Sequence, residues 1–215
     1  MIDHYTPSEE HHLLRLTVRQ FARDEVEPQA REHDRLEHFN LPLFRKLGTL
    51  GLLGITAPLK FGGAGMDATA AVIAHEELAA VDPGFCLSYL AHSMLCVNNL
   101  TVNGDESQQA EFLPKLCSGE WIGAMGMSEP DAGTDVLGMK TTATLADDGG
   151  SFVINGRKMW ITNGTTDDGR TPCDVLLVYA RTGEGGRENP HISTFIVTAS
   201  SPGYSVGQKI LGKTG

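Results

Sequence analysis

The chain has 215 residues, enough for one large domain or two small ones with a substantial core. Lys plus Arg number 17 and Asp plus Glu 27, a net charge of −10, and such a surface repels phosphate backbones, which argues against nucleic-acid binding. No apolar run reaches the ~18 residues of a membrane span, and Met1 to Glu10 is too polar for a secretory signal, so the expectation is a soluble, intracellular protein.

The first half carries helical periodicity. Thr6-Pro7-Ser8-Glu9 predicts a helix start, with Thr6 as cap, Pro7 in the first turn and Glu9 completing a capping box. Leu14, Val18, Phe21, Ala22 and Val26 then follow helical spacing, and Pro28 is expected to break or kink that helix. A second helix is predicted from Leu41 to Leu50, followed by a glycine-rich loop from Pro58 to Gly65. A third, capped by Asp67, reaches Ala80. A fourth opens at Asp82-Pro83 and runs to about Val102; its thin polar face predicts burial. Asn103-Gly104-Asp105 ends it, and a fifth covers Glu106 to Leu116.

After Trp121 the period changes. Lys140 to Leu145 and Phe152 to Asn155 alternate around Asp147-Asp148-Gly149-Gly150, a hairpin signal. Val175 to Tyr179 and Ile192 to Thr198 read as strands, and Tyr204 to Ile210 alternates again. Helices followed by strands exclude an alternating α/β fold. The expected architecture is an all-α domain over residues 1–120 and an antiparallel, barrel-like β domain over 121–215. The chain stops just after the last expected strand, as a truncated domain would.

Two segments could carry chemistry. Met125 to Asp135 (MGMSEPDAGTD) combines small residues, hydroxyls and two glycines, so a ligand can approach its backbone closely, and exposed N–H groups there suit phosphate oxygens. Asn155 to Gly164 (NGRKMWITNG) places two turn dipeptides around an expected short strand, with Trp160 offering a flat face to an aromatic ligand. Cys86, Cys96, Cys117 and Cys173 fit no zinc spacing and read as free thiols. His33 and His38 do not share a helix face and lack a third ligand, so no metal is assigned. Gly126-Met127-Ser128-Glu129-Pro130 lacks the last glycine of a hydrolase nucleophile elbow.

Together the two segments resemble the paired flavin-binding signatures of the acyl-CoA dehydrogenase family. Ile55-Thr56-Ala57-Pro58, Phe61-Gly62-Gly63-Ala64-Gly65 and Phe112 to Glu120 resemble it too, and the likeness covers essentially the whole chain. Leu87-Ser88-Tyr89, Ala91-His92-Ser93 and Met127-Ser128-Glu129-Pro130 are similar to its isovaleryl-CoA branch. The resemblance implies a helical N-terminal domain, a β middle domain and a C-terminal helical domain enclosing FAD and an acyl-CoA, the third of which is not expected within these residues. It implies that Met125 and Met127 line the flavin ring and that Ser128 offers its hydroxyl and N–H to the ring's reactive edge. Gly133 and Thr134 would meet the FAD pyrophosphate, with Thr134 also on the CoA side, while Trp160, Ile161 and Thr162 pack along the flavin. Thr134 stands where Ser is commoner, and Asn189-Pro190 stands where a substrate-binding Ser-Arg is common.

The implied reaction is α,β-dehydrogenation of a short or branched acyl-CoA, with a Glu beyond Gly215 as base, so no catalytic residue is assigned within the chain. Implied partners are an electron-transfer flavoprotein and further copies in a homotetramer. The implied location is the cytoplasm in a bacterium or the mitochondrial matrix in a eukaryote. A standalone flavin- or partner-binding module remains an alternative, as does an acyl-CoA oxidase or flavin monooxygenase on the same fold.

Overall fold

The computed structural model describes residues 8–185 and 190–213. The helical half opens with α1 (Glu9–Phe21), α2 (Glu27–Leu36), α3 (Leu41–Thr49) and α4 (Ala68–Ala79). It continues with α5 (Pro83–Leu90), α6 (Asn99–Asn103) and α7 (Glu106–Ser118). Short polar side chains start most of these helices by accepting a free N–H of the first turn: Ser8 for α1, Asn40 for α3, Asp67 for α4, Asp82 for α5 and Asp105 for α7. The expected Thr6-Pro7 start lies outside the described residues, and Ser8 takes the capping role.

Pro28 does not break the first helix. A widened π turn at Ala22–Val26 precedes it, and the Glu27 N–H reaches back five residues to the Ala22 carbonyl. Resetting the ladder there leaves Pro28 in the first turn of α2, where its missing N–H costs little. A second π turn, Ala91–Asn98, joins α5 to α6, so the long fourth helix is continuous but not regular. Its burial is as expected: Tyr89, His92, Ser93, Cys96 and Val97 are all buried.

The other half is a five-stranded sheet of β1 (Gly123–Gly126), β2 (Thr142–Leu145), β3 (Phe152–Asn155), β4 (Val175–Arg181) and β5 (Ile192–Thr198). β4 is central. β5 runs antiparallel along one of its edges, while β1 and, at Arg181, β2 run parallel to it. The sheet among the described residues is therefore mixed, not wholly antiparallel as expected. β2 and β3 form the expected hairpin, in register Thr142↔Asn155 to Leu145↔Phe152.

Two faces of β4 are covered. Val175 and Leu177 join Cys96, Leu113 and Leu116 of the helical half, whereas Leu176 and Val178 pack with Ala124 and Cys173 on the opposite side. Burial on both faces explains why β4 is a continuous apolar run without alternation. A separate core, built on Val18, Phe44, Leu47, Leu78 and Tyr89, holds α1, α3, α4 and α5 together.

β1 escaped the sequence reading because Gly-Ala-Met-Gly has no strand-favouring residue. Glycine is required there by close approach: a Cβ on Gly123 would lie 2.5 Å from the Cys96 sulfur. Tyr204 to Ile210, expected as a strand, forms none. Tyr204 instead packs on the sheet, with its hydroxyl 3.6 Å from the Cys173 sulfur, and Lys209 ties the segment to Asp168 at 2.8 Å. The alternation records this half-buried path across the surface. No helix among the described residues is long and apolar enough to cross a membrane.

Candidate functional site

The site grows from the place where β1 meets the second π turn. His92, fully buried, joins three elements. Its Nδ1 accepts the Gly123 N–H at 3.0 Å, and its Nε2 donates to the Leu116 carbonyl at 3.0 Å. The Gly123 donor leaves Nδ1 without a proton, so the ring is the neutral Nε2–H tautomer. Burial pushes its pKa down to about 4, against a smaller upward pull from Leu116. The imidazole thus acts as a fixed spacer between α7, the π turn and β1.

Beyond Gly126 the chain leaves the ladder and passes Met127 and Ser128 to Glu129, which closes a small bridge with Ala132. Glu129 is buried. Its Oε2 accepts the Lys140 N–H at 2.6 Å, and its Oε1 accepts the Thr141 N–H at 2.9 Å and the Lys158 ammonium at 2.8 Å. Burial alone would raise its pKa, but these donors outweigh that and hold it at about 2. A carboxylate so fully engaged structures the loop and does not act as a base.

Lys158 answers from the second motif. Its ammonium also donates to the Met127 carbonyl at 3.0 Å, and the next N–H, of Met159, donates to the Ser128 carbonyl at 3.0 Å. These bonds replace the strand expected between Asn155-Gly156 and Asn163-Gly164: 156–159 joins no ladder. Gly156 is needed for proximity, since a Cβ there would lie 2.2 Å from the Thr141 hydroxyl.

Trp160 and Asn163 then take left-handed backbone conformations, with φ of 58° and 62°. Asn tolerates that region; Trp does so at a cost and is worth attention where it occurs. The Asn163 side chain donates to the Ser88 carbonyl at 2.8 Å, fastening the turn to α5. The bend leaves Trp160 with 51% of its surface exposed.

The result is a cleft of about 160 Å³. Met125, Met127 and Ser128 form one wall, and Trp160, Ile161 and Thr162 another. Six of the eight residues singled out from the sequence thus converge from two segments far apart in the chain. Gly133 and Thr134 do not line it; they lie exposed on the turn after Ala132. The sequence reading missed Ala91 and Leu95, which complete the lining from the π turn. Their signal was the Ala91-His92-Ser93 stretch, but a regular helix gave no reason to aim it at the motifs.

Neither the N–H nor the hydroxyl of Ser128 has a hydrogen-bond partner among the described residues. Unpaired donors beside thioethers and an exposed indole suit a flat, polar-edged aromatic ligand. The volume is below the roughly 300–1,000 Å³ of enclosed small-molecule pockets, so the cleft by itself could enclose only part of a small molecule. A larger open hollow of about 520 Å³ over Leu16, Phe21 and Leu50 also carries Thr17, Gln20, Asp24 and Glu25, with the Thr17 hydroxyl donating to the Leu13 carbonyl and the Gln20 amide to Asp24. Asn189 of the Asn189-Pro190 departure lies outside the described residues.

A helical domain buttressing a sheet, with an open cleft at their junction, defines a two-part scaffold. Residues 8–120 match the acyl-CoA dehydrogenase N-terminal domain and residues 124–215 the acyl-CoA dehydrogenase middle domain, and the chain belongs to the acyl-CoA dehydrogenase family.

Mitochondrial isovaleryl-CoA dehydrogenase of Pongo abelii is 45% identical over 94% of this chain and 47% of its own length. Among solved structures, butyryl-CoA dehydrogenase from Megasphaera elsdenii superposes with a TM-score of 0.82 at 32% identity, covering 91% of this chain and 50% of that one. An acyl-CoA dehydrogenase complexed with FAD, from Bacillus anthracis, gives 0.79 at 34% identity, over 91% of this chain and 32% of that one. The chain spans about half the length of the curated relatives it matches.

Proposed function

We propose that this chain holds FAD against the cleft and takes part in the α,β-dehydrogenation of a short or branched acyl-CoA thioester. The observation that carries the reading is the convergence of Met125, Met127, Ser128, Trp160, Ile161 and Thr162 on one cleft, with both Ser128 donors left free. The donor set fits the cofactor: two hydrogen-bond donors for the polar edge of the ring, an indole and thioethers for its faces. FAD, when bound, supplies the acceptor for the two electrons that leave the substrate with the β-hydrogen. The chain's own part is to fix that acceptor, exclude water from one side of it and stabilise charge developing on it through Ser128.

Gly133 and Thr134, exposed on the neighbouring turn, are proposed to meet the pyrophosphate, with Thr134 also facing the CoA. A Cβ on Gly133 would meet nothing within 4 Å, so a bulky anion has room there. No carboxylate among the described residues lines the cleft, and the base that takes the α-proton is proposed to be a Glu from outside these 215 residues. The branched, isovaleryl-like substrate is proposed from the name of the Pongo abelii relative. An electron-transfer flavoprotein as acceptor, assembly as a homotetramer, and a matrix or bacterial cytoplasmic location rest on family membership. The division into domains at 120/121 is likewise proposed, although His92 and the shared core cross that line.

The test is retention of flavin. The purified chain is mixed with FAD, free cofactor is removed, and the visible spectrum is compared with that of Ser128→Ala and Trp160→Ala. A flavin band kept by the wild type and weakened in both variants is expected. No band in the wild type, with no quenching of Trp160 fluorescence by FAD, would refute binding at this surface. Loss of the band on adding isovaleryl-CoA to the full-length protein without oxygen, and not on adding a straight long-chain thioester, tests the substrate class.

A further inference from the structure

The peptide group between Met127 and Ser128 has two working ends. Its carbonyl, on Met127, accepts the Lys158 ammonium at 3.0 Å. Its N–H, on Ser128, has no partner among the described residues. Carbonyl and N–H belong to one conjugated amide, so a cation at the oxygen draws electron density from the nitrogen and strengthens the N–H as a donor.

Only 8% of the Lys158 side chain and 5% of the Glu129 side chain are exposed, so water screens the charge little. Glu129, itself held by the N–H groups of Lys140 and Thr141, fixes the ammonium at 2.8 Å, which leaves one proton for the Met127 carbonyl and another facing the Met139 sulfur at 3.9 Å.

We propose that Lys158 is a positioning residue that acts through the Met127–Ser128 peptide, polarising the Ser128 N–H so that it donates a stronger hydrogen bond to an electron-accepting ligand in the cleft. The identity of that ligand as flavin rests on the function proposed above; the polarisation does not. A purely structural Lys158 would weld the two loops together and leave the amide electronically ordinary. A polarising Lys158 biases the bound cofactor toward its reduced form, because the electron-rich form gains most from a strong donor.

The test uses the full chain in two states. Without ligand, the Ser128 amide resonances are compared by nitrogen-15 NMR in wild type, Lys158→Arg, Glu129→Gln and the double variant Glu129→Gln/Lys158→Met. The double variant removes both buried charges and so avoids an orphaned ion. The Ser128 nitrogen is expected to move upfield in the double variant, to stay near the wild-type position in Lys158→Arg, and to move downfield in Glu129→Gln, where the cation loses its counter-charge. If the double variant does not fold, the last two carry the comparison.

With FAD, the affinities for its oxidised and reduced forms are then measured. The preference for the reduced form is expected to fall up to tenfold in the double variant, about 30 mV for a two-electron couple, and to be kept by Lys158→Arg. An unmoved Ser128 resonance accompanied by a lowered melting temperature would overturn the proposal and leave Lys158 a structural brace. Moved resonances with no FAD bound by any variant would uphold the polarisation and overturn the flavin reading.

Discussion

Lowering the pH is expected to destabilise the protein through His92. The ring is neutral and buried, with its pKa near 4 in the folded state, against about 6.5 in an unfolded chain. Between those values the unfolded chain binds the proton more readily, so stability rises with pH there and is lost as pH falls from about 6.5 toward 4. The contribution is complete above that window and constant below it. At ~1.4 kcal/mol per unit, the loss is about 1 kcal/mol by pH 5.5 and about 2–3 by pH 4.5. With an m-value of ~2–3 kcal/mol/M, that is a fall of about 1 M in the urea midpoint by pH 4.5. The assay is urea unfolding of wild type and His92→Gln at several pH values. Glutamine can still accept from Gly123 and donate to Leu116 but does not titrate, so the difference between the two proteins isolates the imidazole. A difference that stays flat from pH 7 to pH 4.5 would refute the buried, neutral role.

Glu129→Ala is expected to cost about 3–5 kcal/mol, because Lys158 is left charged and unpaired in the interior; thermal unfolding would show a loss of roughly 6–20 °C for a chain of this size. Gly123→Ala is expected to destabilise by about 1–3 kcal/mol, since the new methyl would sit 2.5 Å from the Cys96 sulfur. Adding Cys96→Ala should return part of that loss, and no recovery in the double variant would count against the clash. Trp160→Ala is expected to weaken FAD binding about 2- to 10-fold, the range of one aromatic stacking contact, with little change in melting temperature because the side chain is half exposed.

Local chemistry was readable where one residue type decides it. The cap at Asp67, the helix opening at Asp82-Pro83 and the Asp147 to Gly150 hairpin turn follow from side-chain acceptors and turn-forming residues, and the structure has them. At Pro28 the α-helical ladder is interrupted, but by the π turn at Ala22–Val26 just upstream, which keeps the helix continuous and puts Pro28 in the first turn of α2. β1 was illegible because two glycines carry no strand propensity; its place is fixed by Cys96 and His92, which are distant in sequence. The alternation from Tyr204 to Ile210 was real, but burial of alternate side chains does not require a hydrogen-bonded neighbour.

The candidate site divides along the same line. Met125 to Ser128 and Trp160 to Thr162 stood out by composition and resemblance, yet neither segment states that the other faces it. What brings them together is the buried Glu129–Lys158 pair, the Ser128–Met159 backbone bond and the Asn163 tether to Ser88. Glu129 shows why the residue with the most conspicuous chemistry in such a loop can be the wrong one to follow. A carboxylate drawn down to a pKa of about 2 by its donors has lost its basicity to architecture. The residues left free to act are the less conspicuous ones it holds in place, an unpaired serine N–H and an exposed indole in an unfavourable backbone conformation.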